Sequence, residues 1–268
     1  MTDRSTIARL QAEIRELSFL HETSQVLTAT LDLDSVLRSL MAQVRDFFQV
    51  EAASAALLDD ASGQLVFRVA VGRAAAEVVG LRLDVGQGIA GWVVQHGEPA
   101  LVSGAHDDDR FYPGVDESSD FYTDVILAVP IRADGHAIGV IEAINPQAGG
   151  FDQDAQRLLS AVADLAAVAI RNAALYERVR QAESRYESLF NESTDPIFVL
   201  APDGEILNLN RRVEQMLERP RREIIGQNLC DILHISRETC LPALRQVLQG
   251  DHLKLDMSLR FPLASGGE

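Results

Sequence analysis

The segment LAAVAIRNAALYERVRQAESRYESL (Leu165–Leu189) decides how this chain is organised. Leu165, Val168, Asn172, Leu175, Val179, Ala182, Tyr186 and Leu189 recur in alternating steps of three and four residues. That spacing is a heptad seam with one polar member, Asn172. No Gly or Pro falls between Phe151 and Phe190, so a single helix fits the whole stretch. With a rise of about 1.5 Å per residue, it is expected to be a rod linking two globular units and pairing with a second copy of itself. Ala182 and Tyr186 are mediocre seam residues, and the competing reading is an amphipathic helix lying on its own domain.

Composition narrows the function. With 268 residues there is room for one or two domains, each with a core. A formal net charge of −16 disfavours sequence-independent binding of nucleic acid or of an anionic membrane surface. Cys230 and Cys240 are too few for a disulfide framework and fit a reducing cytoplasm. The polar start, Met1-Thr2-Asp3-Arg4, lacks a signal-peptide pattern, and the apolar run Leu158–Ile170 is interrupted by Asp164 and short for a bilayer span. A cytoplasmic location with no membrane partner is the expectation.

Upstream of the rod, Ile7, Leu10, Ile14 and Leu17 keep heptad spacing on an N-terminal helix reaching about Ala29. A second helix, capped by Asp32 or Asp34 and ending near Phe48, places Val36, Leu37, Leu40, Met41 and Val44 on one apolar face. His21-Glu22 has the form of a sensor-kinase phospho-acceptor, but no nucleotide-binding boxes follow it, and a surface histidine is the better reading. Strands are expected at Ala52–Leu58 and Gln64–Ala70, joined by the turn-rich Asp59–Gly63. Gly86-Gln87-Gly88 opens a short helix, Ile89–Gln95, stopped by Gly97 and Pro99. Lacking a third glycine and a βαβ setting, this pair reads as a tight turn rather than a phosphate cradle. Trp92, the single tryptophan, roofs or lines a core, with ligand stacking as the alternative.

The acidic loop from Asp107 to Tyr122 lacks calcium-loop spacing. It carries Phe111, Tyr112, Phe121 and Tyr122, and four aromatics on one loop suit a lid over a cavity. Asp124–Ile131 and Ala137–Asn145 follow as a hairpin around Asp134-Gly135, apolar on both faces and therefore central in a sheet. Asp152 is placed to cap the long helix.

Gly86-Gln87-Gly88-Ile89-Ala90-Gly91-Trp92-Val93-Val94, then Gly97-Glu98-Pro99, Asp109-Arg110-Phe111, Val129-Pro130-Ile131, Ile138-Gly139-Val140-Ile141-Glu142 and the Phe151-led helix together resemble a GAF domain over about residues 20–175. The resemblance implies an antiparallel sheet with flanking helices, a small-molecule pocket, and dimerisation through terminal helices. Pocket candidates are Trp92, Phe111, Tyr112, Phe121, Tyr122, Val125 and Leu127. Cyclic-nucleotide-binding members carry Asn-Lys and a Phe followed by Asp-Glu. Here Asn145 and Phe151 remain, while Pro146 and Ala155-Gln156 replace the charged groups, which argues against that ligand. No cysteine precedes Cys230, which argues against a covalent bilin and against methionine-sulfoxide-reductase chemistry. Haem through His96, His106 or His136 is disfavoured, and no metal site is expected. The cofactor is left unknown.

Beyond the rod, Leu189-Phe190-Asn191, the Asp203-Gly204 turn, Asn210 and Ile225-Gly226 resemble a PAS domain, with Arg212 where a small residue is usual. Flavin-binding light sensors of that family need a cysteine directly after Gly-x-Asn. Leu229 holds that position, which argues against a cysteinyl-flavin. His252–Leu263 reads as a third strand of a sheet that normally has five, so the chain is expected to be part of a longer protein.

The expected class is α+β: an N-terminal helix (1–30), a GAF-like domain (31–164), a coiled-coil helix (165–189) and a partial PAS-like domain (190–268). No nucleophile–base pair or metal-spaced cluster marks these residues as an enzyme. By resemblance the module is a homodimeric sensor with a small-molecule ligand, working on a C-terminal output domain or a response regulator. A histidine kinase is the expected output. The alternatives are an empty-pocket dimerisation scaffold and the input of a cyclic-dinucleotide enzyme.

Overall fold

The structure is a computed structural model, and it describes residues 2–29, 32–118 and 120–248. The third PAS strand expected at His252–Leu263 lies outside the described residues. The chain divides into two compact units at 177/178.

The first unit opens with α1 (Thr2–Ala29) and α2 (Leu33–Phe48). Asp32 caps α2 by accepting from the Ser35 amide at 3.0 Å, and the five apolar residues named above are all buried. Phe19 fastens α1 to α2 by stacking on Phe47 with ring centroids 4.1 Å apart. Leu10, Ile14 and Leu17 point away and stay exposed.

Next come β1 (Val50–Leu58), β2 (Leu65–Gly72), α3 (Ala75–Val78), β3 (Arg82–Leu83), α4 (Gly88–His96), β4 (Ala100–Ser103), α5 (Gly114–Ser118), β5 (Val125–Ala133) and β6 (His136–Pro146). The six strands form one antiparallel sheet in the order β3-β2-β1-β6-β5-β4. Its centre is β1 and β6; of the hairpin expected to be central, β6 is, while β5 lies one strand in from the β4 edge, buried on both faces because helices cover the sheet on both sides. One face packs Ala53, Ala55, Leu127, Val129, Ile131, Ile141 and Ala143 against α2 and the start of the long helix. The other packs Ala56, Ile126, Ala128 and Val140 against α4. Side chains alternate along a strand, so neighbouring residues serve different layers.

α6 (Gln153–Glu192) is the single long helix that the absence of Gly and Pro predicts. Asp152 caps it by accepting from the Ala155 amide at 2.8 Å. Leu158, Leu159, Val162, Ala163, Ala166 and Ala167 bury against the sheet, so the first part of α6 does lie on its own domain. The seam is a different stripe. Val168, Leu175, Val179, Tyr186 and Leu189 are 51–69% exposed, Asn172 and Ala182 are exposed, and Leu165 is half-buried. By length and composition alone α6 could cross a membrane, because the helix extends well past Leu158–Ile170. Of the apolar window concerned, 33% is buried within the structure.

The second unit holds the hairpin β7 (Phe198–Leu200) and β8 (Ile206–Leu209), then α7 (Arg211–Leu217), α8 (Arg221–Ile224), α9 (Leu229–Ile232) and α10 (Arg237–Leu248). Asn210 is fully buried. Its side-chain oxygen accepts from the amides of Ile197 (3.0 Å) and Val213 (3.3 Å), and its amide donates to the Asp195 carbonyl (2.9 Å). One side chain thus ties the approach to β7 to the start of α7. α10 carries Pro242 inside it. The two cysteines, read as fitting a reducing cytoplasm, are joined in the structure: Cys230 and Cys240 form a disulfide, Cα atoms 5.8 Å apart. The intervening Leu233–Ser236 turn brings α10 back beside α9, a proximity that a count of two cysteines does not reveal.

Candidate functional site

The α4 side of the sheet encloses a cavity of about 80 Å³. Its floor is the β1–β6 pair, where Ser54 and Glu142 stand directly opposite each other. Ser54 Oγ donates to Glu142 Oε2 at 2.8 Å, and Glu142 is only 7% exposed. Among the described residues no basic side chain pairs with this carboxyl. Burial therefore pushes its pKa up, partly offset by the Ser54 hydrogen bond.

The walls come from the loop that carries the aromatics. Phe111, Tyr112 and Phe121 line the cavity, with Phe67 from β2 and Ile89 from α4. Asp116 holds the loop in shape. Its Oδ2 accepts from the Thr123 amide (2.6 Å) and pairs with His106 Nε2 (2.9 Å), and its Oδ1 accepts from Thr123 Oγ1 (2.8 Å). Asn145 fastens the loop's far end. Its oxygen accepts from the amides of Asp124 (2.9 Å) and Val125 (3.1 Å), and its Nδ2 donates to the Tyr122 carbonyl (2.7 Å) and Glu51 Oε2 (3.2 Å). The exposed Arg73 stands at the rim.

The other candidates lie elsewhere. Trp92 stacks on His96 (4.4 Å between centroids), with the Arg110 guanidinium 4.6 Å from its ring. Tyr122 is 63% exposed and stacks on His106 at 4.4 Å. Leu127 faces the α2–α6 layer, and its neighbour Ile126 is the β5 residue that lines the cavity; Val125 does not line it. None of His96, His106 and His136 lines the cavity, and one ring nitrogen of each is engaged: His96 and His136 with backbone carbonyls, His106 with Asp116. Ser54, Glu142, Asp116 and Thr123 were not anticipated. The available signal was a glutamate in the middle of Val140-Ile141-Glu142-Ala143-Ile144, an apolar strand with no charged neighbour.

The Gly86-Gln87-Gly88 segment is a tight turn folded onto α4. Gly86 N donates to the Gly91 carbonyl at 3.0 Å, and a Cβ on Gly91 would stand 2.7 Å from the Asp84 carbonyl oxygen. The turn thus sets where α4 roofs the cavity.

The GAF domain family matches residues 32–170, more than half of the chain. The chain belongs to the GAF domain family. A PAS fold matches residues 184–268, in the order the resemblance implied. The GAF domain of a phosphoenolpyruvate-protein phosphotransferase from Coxiella burnetii superposes with a TM-score of 0.56 at 22% identity, covering 63% of this chain and 98% of that one. The corresponding Acinetobacter domain gives 0.54 at 24% identity, covering 60% and 95%. At these identities the likeness is one of fold. Among curated proteins, a probable 3',5'-cyclic phosphodiesterase of Caenorhabditis elegans is 29% identical over 165 residues, covering 58% of this chain. A dual 3',5'-cyclic-AMP and -GMP phosphodiesterase 11A of Takifugu rubripes is 31% identical over 162 residues, covering 57%. The chain spans 23% and 16% of the length of these two relatives. The GAF cavity, with Glu142 and Ser54 at its floor, is the candidate site.

Proposed function

We propose that this GAF–PAS chain is the input portion of a signalling protein, in which a small molecule entering the Glu142 cavity biases the pairing of α6 with its copy in a homodimer. The observation that supports it is α6 itself. One stripe of the helix closes the layer behind the cavity-bearing sheet, and a second, apolar stripe remains uncovered. Occupancy that shifts the sheet therefore has a mechanical route to the seam, and a ligand acts by its differential affinity for two packings. Asn172 would fix register and two-strandedness by meeting its symmetry mate. The output we favour is a histidine kinase acting through a response regulator, with a cyclic-dinucleotide enzyme as the alternative. The phosphodiesterase activity in the relatives' names is not carried over. We take the location as cytoplasmic on the typical solubility of GAF and PAS domains and not on cysteine usage, since Cys230 and Cys240 are disulfide-bonded.

Denaturing extraction of the purified chain followed by mass spectrometry tests the sensor reading. A stoichiometric small molecule is expected. The modest cavity volume favours one rival, a dimerisation scaffold, and a chain that yields no small molecule and stays dimeric would establish that rival instead.

A further inference from the structure

The geometry points to a small organic cation, an alkylammonium-like group, as the class of ligand that the Glu142 cavity takes. This inference rests on the pocket reading above and names its chemistry. Glu142 is a carboxyl set into the floor, with Ser54 as its hydrogen-bond partner and no basic residue beside it. A second carboxylate, Asp116, stands on the wall, whereas Arg73, the basic residue of the lining, is exposed at the rim. An anion pushed to the floor would face an uncompensated acid in a poorly solvated site, which is costly. A cation gains the ion pair in a cavity lined by the aromatic rings of Phe67, Phe111, Tyr112 and Phe121, a class of side chain whose faces attract positive charge. At about 80 Å³ the space holds several waters' worth of volume, enough for a short alkylammonium and tight for anything much larger.

Protonation supplies an independent handle. Burial raises the Glu142 pKa, so protons compete with a bound cation for this carboxyl. The other titratable or charged groups facing the cavity are Asp116, with His106 on its far side, Tyr112 and Arg73. Substituting Glu142 distinguishes its titration from theirs.

The test uses the full chain with n-butylammonium, butan-1-ol and butyrate at matched ionic strength, read by thermal shift and calorimetry. Butylammonium is expected to bind saturably, the alcohol and the carboxylate to bind at least about tenfold more weakly. Affinity for the cation should fall as pH is lowered from about 8 to about 5. E142Q should weaken butylammonium about tenfold or more and flatten that pH dependence. Equal binding of the alcohol or of butyrate, or an unchanged affinity in E142Q, overturns the proposal. Should E142Q fail to fold by circular dichroism, the charge series and pH profile of the unaltered chain decide. A neutral or anionic molecule extracted from the purified protein, with no cation binding, would remove the cation and leave the pocket standing. An empty extract with no binding of any probe would remove both.

Discussion

Asn145 sits at φ 55°, a backbone conformation that Asn tolerates better than most residues, and its side chain makes four hydrogen bonds. Replacing it with Ala leaves two amides at the end of the aromatic loop unpaired, and N145A should lose about 2–4 kcal/mol in urea unfolding. Glu142 sets a pH dependence of opposite sense to that of a salt-bridged acid. Its folded pKa lies above the ordinary glutamate value of 4.5, so its protonated form favours the fold at low pH, and that stability is lost as pH rises through the raised value. E142Q keeps an acceptor for Ser54 without the charge. It should therefore melt higher than the unaltered chain near pH 8, with the difference vanishing near pH 4. Asp108 runs the other way. Arg110 hydrogen bonds hold its pKa at about 2, so its small contribution is present above the usual aspartate range and lost as pH falls through about 2. Both side chains are partly exposed, and D108N should cost less than about 1 kcal/mol at neutral pH.

At the scale of elements, Gly91 is the position where α4 depends on having no side chain. Its Cβ would press on the Asp84 carbonyl and the Gly86 amide nitrogen, backbone atoms that cannot swing aside. G91A should cost about 1–3 kcal/mol and shift the α4 roof, seen as chemical-shift changes at Ile89 and Phe111 in NMR spectra. Much of the fold was legible in the sequence, because its signals are local. Asp32 or Asp34 announces α2 by capping, Asp134-Gly135 announces the β5–β6 hairpin, and the absence of Gly and Pro announces α6. Elements that depend on distant partners were silent. β4 is four residues with alternating burial, defined by its pairing with β5, and β3 has two residues. The same divide ran through the site. Phe111, Tyr112 and Phe121 stood out as aromatics on a polar loop. The choice between Ile126 and Leu127 is one of strand parity, which no stretch apolar on both faces can declare. Ser54 and Glu142 are 88 residues apart and become a pair only through the β1–β6 register.

For the whole molecule, the account turns on the uncovered stripe of α6. Val179 is 65% exposed in the single chain, so a charge there should leave the fold intact while opposing the pairing of two seams. Asn172 poses the converse case: N172L should raise the melting temperature of the dimer while loosening its register or oligomeric state, as judged by circular dichroism with sedimentation. The decisive measurement is sedimentation equilibrium of the unaltered chain beside a V179E variant at micromolar concentration. The account predicts a species of twice the 29.3 kDa chain mass for the former and a folded monomer for the latter. An unaltered chain that sediments as a monomer throughout would contradict it.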